Sequence, residues 1–566
     1  MLYNETVYTQ PHNKLTHETF EKLCSEFKLP SRNAHPVIIA RCMLIFAITL
    51  QNPARDRFLG LSEPQDAIMH RLVFAATTWV TTKEEMQGTV EGLICIILEG
   101  IFEINCGNLR RGWAVYRRAM TAAQLLGLHR SIRPVLKYLD SRTTAQPEAL
   151  WFRIIHMDRY LSLLLGLPQG ISEKNVPPWS VWENEPPLGR FERILTIMAS
   201  RILDRNESAY HHRDHTTTQS IDSELLKLSR SMPASFWRPV NFHGFALGEP
   251  DTYLETLRLG AQVYYYSLLI QLHLPFMIRT GDNNGHAYAK NACVNASREI
   301  LARFIAHRSF NPASSCSRPV DFFALLAAMT LSLAHLDSHY HRTTTNFLAH
   351  QRSSDRAILD QALETMDAIS HMNEDKITEK SAIVVRRLLE MEADASDGGD
   401  YITSVVGGDV NRTEGEKEGN ELRLNIPYLG TIKISRQGFI SCEPTHRPSY
   451  IESIIEVSTL GRASTFHERP ICPLNDSDSN SMIPASSMYS KRPTAQQTLR
   501  DEEAILDYPN LSQDMTIQQP DALAPIVTDV DDWTFQGVDV AFFDSLMRGT
   551  SGIDAELEQQ WIESPL

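Results

Sequence analysis

Histidines and acids at helical spacing are the first residues in this chain that could do chemistry. The run HLDSHYH sets His335 and His339 one helical turn apart, with Asp337 and His341 beside them. Two imidazoles at that spacing could share a metal ion. A hydrolytic H-E-x-x-H site would also need a glutamate between them, and there is none. The segment runs on into polar sequence, so it reads as solvated histidines at a helix end. HHRDH at 211–215 repeats the pattern on a loop and reads the same way. Asp158 stands in an otherwise apolar helix, where a structural pairing with an arginine outweighs a catalytic role. The eight cysteines are never closer than eleven positions, so no C-x2-C zinc or redox motif is present. No nucleophile elbow, phosphate-cradling loop or dinucleotide fingerprint occurs. The chain therefore reads as a non-enzyme with no catalytic residue, no metal ligand and no resident cofactor.

Two helical blocks dominate the rest of the sequence. The first, GNLRRGWAVYRRAMTAAQLLGLHR at 107–130, has Asn108 as an N-cap candidate and Gly127 as a stop. Leu109, Trp113, Tyr116, Met120 and Ala123 recur in steps of four and three and define one buried face. Ala114, Ala119 and Ala122 are small enough to let another helix come close. Arg110, Arg111, Arg117 and Arg118 make the remaining surface basic, and are read as a solvated face, with a patch for an acidic partner such as the chain's own tail as the other reading. The second block, EALWFRIIHMDRYLSLLLGLPQGIS at 148–172, is apolar around most of its circumference. That pattern marks a central core helix, which Pro168 and Gly170 end.

The elements around the blocks are also helical. Periodicity predicts helices near 15–27, 35–53, 64–83, 86–106, 190–211, 219–231, 251–279, 287–307, 319–341, 354–372 and 376–394. The run FFALLAAMTLSLAHL at 322–336 is shorter than a bilayer span and reads as a core helix, so no membrane segment is expected. The proline–tryptophan stretch 175–189 is expected to wedge irregularly against the core. The result is an all-α domain over residues 1–393. Residues 394–500 read as a linker, expected to be mostly disordered, with a small hairpin possible at 422–435, where Leu422, Leu424, Ile426, Ile432 and Ile434 alternate. A lone hairpin is marginal and would have to dock on the helices.

The net charge of −15 is unevenly placed. Residues 501–566 hold fifteen acids and one basic residue, Arg548, which leaves a nearly neutral body with an acidic tail. Such a body is not built for non-specific binding to nucleic acid. Within the tail, Phe535, Val538, Phe542 and Leu546 fall at steps of three, four and four, beside Trp533 and Phe543. They would line one face of a helix formed against a partner groove. Asp531, Asp532, Asp539 and Asp544 keep the segment solvated and favour a basic coactivator surface. A terminal helix that caps the protein's own core is the other reading, and a tail docked in one state and released in another would reconcile the two.

The paired blocks resemble the signature of the fungal-specific transcription factor regulatory domain, the helical middle homology region. The resemblance rests on Trp113, Leu126, Gly127, Leu128, His129 and Arg130 in the first block. In the second it rests on Trp151, Arg153, Asp158, Arg159, Gly166 and Pro168. It spans about residues 35–390, and the IPYLGTIKI segment is similar to regulators of fungal secondary-metabolite gene clusters. It implies an all-α fold, a nuclear location, a homo- or heterodimer with a related regulator, and control of pathway genes. In that family Arg153, Asp158 and Arg159 would belong to the helical core. Members normally begin with a six-cysteine cluster that holds two zinc ions and places a helix in the major groove. No such cluster is present here, so DNA binding is not encoded in these residues. Zinc would enter only with a cluster upstream of Met1, and the alternative is a regulator that reaches promoters through a partner. A helical scaffold or inhibitory partner of a DNA-binding regulator is the competing function.

Overall fold

The computed structural model describes residues 2–435 with gaps, the longest at 52–62, 173–184, 209–214, 341–347 and 407–420. The acidic tail, the 211–214 part of the HHRDH run, His341 and the two tryptophans of 175–189 lie outside the described residues.

Among the described residues the fold is helical almost throughout. The order begins α1 (Leu2–Thr9), α2 (His17–Glu26), α3 (Pro36–Leu50), α4 (Gln65–Ala76) and α5 (Val90–Asn105). The two blocks form α6 (Leu109–Leu125) and α7 (Pro147–Leu165). Then come α8 (Pro187–Glu207), α9 (His215–Ser231), α10 (Pro250–Met277) and α11 (Asn283–Phe310). α12 (Arg318–Tyr340), α13 (Arg352–Asn373) and α14 (Lys376–Ser396) complete the helices. The predicted helices are all present, with ends shifted by a few residues, and α1 was not foreseen. Residues 64–83 split into α4 and a short π-helical turn at Thr77–Thr81.

Helices pack chiefly on their sequence neighbours: α5 on α3 and α6, α6 on α7, α7 on α8, α10 on α11, and α12 between α11 and α14. α5 explains this order best. Every one of its sixteen positions is buried, so it must be surrounded on all sides. Gly100 makes its contact with α6 possible. A Cβ there would stand 2.7 Å from the ring of Tyr116, which is itself fully buried. The close approach therefore comes from a glycine on α5 as well as from Ala119 and Ala122. Ala114 faces solvent and takes no part in it. α12 is longer than its apolar run and would pass for a membrane span by length and composition, but 83% of that window is buried inside the fold.

A three-stranded antiparallel sheet follows the helices, in the order β1 (Ile402–Val406), β3 (Gly430–Ser435), β2 (Glu421–Ile426). β2 and β3 are the expected hairpin, paired Leu422 with Ile434 and Leu424 with Ile432. β1 corrects the linker reading, because residues 402–406 pair along the other edge of β3. The glycines on either side masked a short alternating run, Ile-Thr-Ser-Val-Val. Leu422, Leu424, Ile426, Ile432 and Ile434 are buried and join the same apolar cluster as the helices, the docking an isolated hairpin requires.

Candidate functional site

The signature residues are spread along the antiparallel pair α6 and α7 and the loops that end them. α6 ends as the sequence anticipates: Gly127 takes φ +78° and Leu128 N–H donates to Ala123 C=O across the last turn. At the other end, Asn108 sits at the cap position but its amide donates to Glu103 at 2.8 Å instead of capping the helix. α7 ends on Gly166 in the left-handed conformation, φ 68°. That turn sends Pro168–Gly170 back over α6.

The returning loop is tied down by both blocks. Ser162 Oγ donates to Pro168 C=O at 3.0 Å and accepts from Trp113 Nε1 at 3.0 Å. Arg117 Nη2 also donates to Pro168 C=O. The Asp158 carboxylate, 1% exposed, accepts Gly170 N–H at 2.8 Å. Its other oxygen stands 2.8 Å from Arg117 Nε, off the line of a hydrogen bond. Arg117 lies over the Trp113 ring, 4.6 Å from its centre. Burial pushes the Asp158 carboxyl up from its ordinary range, against the pull of Arg117 and the Gly170 amide. Burial likewise lowers Arg117, with Asp158 opposing. This contact is a latch between the two blocks.

The arginines of α6 are therefore only in part a solvated face, Arg111 being exposed and the other three half-buried. Arg118 pairs with Glu99, and Arg111 with Glu103 at 2.9 Å, while both glutamates are buried on α5. A signal was available in the sequence: acids four apart on α5 and arginines seven apart on α6 meet in order when the two helices run antiparallel.

The remaining charges of α7 are structural as well. Arg153 bridges Glu192 of α8 at 2.7 Å and donates through Nε to Val7 C=O of α1 at 2.9 Å. His12 reaches the same Glu192 oxygen at 2.8 Å. Burial alone would raise Glu192, but Arg153 and His12 outweigh it and hold the carboxyl far below its usual range. Arg159 is fully buried and donates to Thr196 C=O at 3.0 Å. His156 is driven down to about 4 by burial and contacts Thr196 Oγ1 at 2.8 Å. Trp151 is buried, with the exposed His129 tilted against it at 6.2 Å. Arg130 and Pro168 are exposed.

The histidine run is corrected too. His335 is buried and pairs with Asp355 at 2.8 Å, whereas His339 turns to Glu392 at 2.8 Å. Asp337 faces Lys290 and, at 3.4 Å, His286. The three side chains diverge to different helices and hold them together, and are not the solvated helix end that the sequence suggested. Among the described residues no group of His, Cys, Asp and Glu has the geometry of a metal site.

These contacts describe a helical body held together by buried and half-buried ion pairs between neighbouring helices. The chain is 36% identical, over 97% of its length, to the dehydrocurvularin biosynthesis regulator of Aspergillus terreus, and covers 78% of that protein. It is 34% identical over 93% of its length to a probable transcription factor, gsfR1, of Penicillium aethiopicum, covering 77% of it. It is 31% identical over 92% of its length to the transcription factor sdnS of Sordaria araneosa, covering 70% of it. The chain belongs to this family of fungal transcription factors, which includes regulators of secondary-metabolite biosynthesis. No family model matches the sequence, and no solved structure matches it.

Proposed function

We propose that this protein activates transcription of a fungal secondary-metabolite gene cluster from within the nucleus. Residues 1–393 act as the regulatory, or middle homology, domain, and residues 501–566 carry the output. The likeness to fungal biosynthesis regulators and transcription factors over nearly the whole chain supports this reading most directly, and the latch joining Arg117, Asp158 and Gly170 ties the two signature blocks into one body. A domain of this kind supplies stability and surface, and its function lies in what binds there.

The tail supplies the contact with a coactivator. Its acids favour approach to a basic surface, and Trp533, Phe535, Val538, Phe542, Phe543 and Leu546 then enter an apolar groove. The body pairs with a second copy or a related regulator. DNA contact and zinc belong to a six-cysteine cluster, carried on a longer form of the chain or on that partner. Residues 394–500 join body and tail and carry the small sheet.

Fusing residues 500–566 to an unrelated DNA-binding domain tests the output. Reporter activation that falls when Phe542 and Leu546 become alanine supports it. A silent fusion that is present in the nucleus would instead mark the protein as a scaffold or inhibitory partner.

A further inference from the structure

Phe74, near the end of α4, is 69% exposed, and Trp79, in the turn that follows, is 67% exposed. Large aromatic side chains left this bare mark an interaction surface. The inward side of the same stretch is Met69, Val73, Ala76, Val80 and Thr81, and it packs on α3 and α5. Regular α-helical spacing would carry that inward row from Met69, Val73 and Ala76 to Val80 and leave Thr81 off it. The π-helical turn at Thr77–Thr81 takes in one more residue, with Thr82 N–H donating to Thr77 C=O at 3.3 Å. Val80 and Thr81 then both lie inward, and Trp79 swings round toward the side that Phe74 occupies. The turn buries the Thr81 hydroxyl without a hydrogen-bond partner, which is a local cost. Wide turns of this kind are frequent at functional sites.

The rest of the outward face follows from the same spacing. Ala67, His70 and Arg71 are exposed on it. Glu63 lies over its first turns, where it accepts from Arg71 Nη1 at 2.7 and 2.9 Å. Lys83 is exposed at the far end. The face therefore runs from an acid, through a small residue, to two aromatic rings and a base. Such a face fits a second copy of itself turned end for end. Ala67 and Trp79 stand six positions either side of Val73, and Glu63 and Lys83 stand ten. Two copies lying antiparallel about a two-fold axis beside Val73 bring a large ring over a small residue and a base to an acid. Each contact then occurs twice, as an isologous interface requires. Glu84 and Glu85 fall beyond the paired length.

We propose that the outward face of 63–83 is the surface through which the body pairs with a second copy. Trp79 of each copy sits over Ala67 of the other beside its Arg71, where ring and guanidinium attract. The Phe74 rings meet near the axis, and Lys83 faces Glu63 of the other copy. This rests on the reading that the body pairs with its own kind, and it assigns that pairing a surface.

Sedimentation velocity of the full chain over a concentration series reads the pairing, and a reversible dimer is expected. Phe74→Ser with Trp79→Ser should raise its dissociation constant on the order of tenfold or more. Ala67→Gln fills the seat of the other copy's Trp79 and should weaken pairing without removing an aromatic anchor. Glu63→Lys and Lys83→Glu should each weaken it, and the two combined in one chain should restore it, which a loss of folding could not do. Every substituted side chain is exposed, so circular dichroism should show unaltered helix. Met372→Ser, at an exposed methionine of α13, should change nothing. A dimer that keeps its dissociation constant through the Phe74, Trp79 and Ala67 substitutions would overturn the proposal and leave self-pairing intact on another surface. A chain that stays monomeric at every concentration would overturn the proposal and the self-pairing together.

Discussion

Asp158→Ala removes the acidic half of the latch. Truncating one partner of a buried ion pair costs about 3–5 kcal/mol, because the other charge is left without compensation. Arg117 keeps a quarter of its side chain in solvent, so water recovers part of that loss. Gly170 is exposed as well and can donate to water instead. The expected cost is therefore about 2–3 kcal/mol. At roughly 2.1 cal/mol/K of unfolding entropy per residue over about 400 residues, Tm should fall by about 3 °C. Asp158→Asn should cost less, since burial already disfavours the charge and the amide oxygen can still accept Gly170 N–H. Scanning calorimetry of Asp158→Ala, Arg117→Ala and the double variant gives the coupling directly. The double variant should be little worse than either single one. If the two losses simply add, or if Asp158→Ala leaves Tm unchanged, the latch does not join the blocks.

Acid should loosen the body below neutrality. His156 is held neutral down to about 4, so unfolding takes up a proton that folding refuses. The associated stability is present above the ordinary value of 6.5, and up to about 3 kcal/mol is lost as pH falls toward 4; urea titrations of His156→Gln should show a flatter pH profile across that window. Glu392, held at about 2 against the upward push of burial by His339 and Arg352, stabilises at any pH above its ordinary 4.5 and loses that contribution as pH falls toward 2. Glu392→Gln should thus be less stable at pH 7, with the difference narrowing in acid. Gly166→Ala forces a side chain into φ 68° and should cost about 1–2 kcal/mol, read as a lower urea midpoint at unchanged slope.

The helices were legible because their apolar positions recur at helical spacing over long stretches, as in α6 and α14. The Gly127 stop could be read because only glycine suits that turn. The sheet was half legible: Leu422–Ile434 alternates visibly, but β1 is five residues set among glycines and acids. Charge was the hardest to read. Arg117 and Arg118 look like surface residues in sequence, since a basic residue reveals its carboxylate only when a second helix arrives. The same holds for His335 and His339, one turn apart on α12 yet aimed at acids on different helices. Asp158 was correctly read as needing an arginine, but its partner lies 41 positions away in the other block.

A regulator of the proposed kind controls transcription of a biosynthetic gene cluster. Deleting its gene in the native host and sequencing transcripts under producing conditions tests that directly. One contiguous set of biosynthetic genes should fall silent together, and the chain with Asp158→Ala should restore them less well than the unaltered chain. Unchanged transcript levels across every such cluster would contradict it.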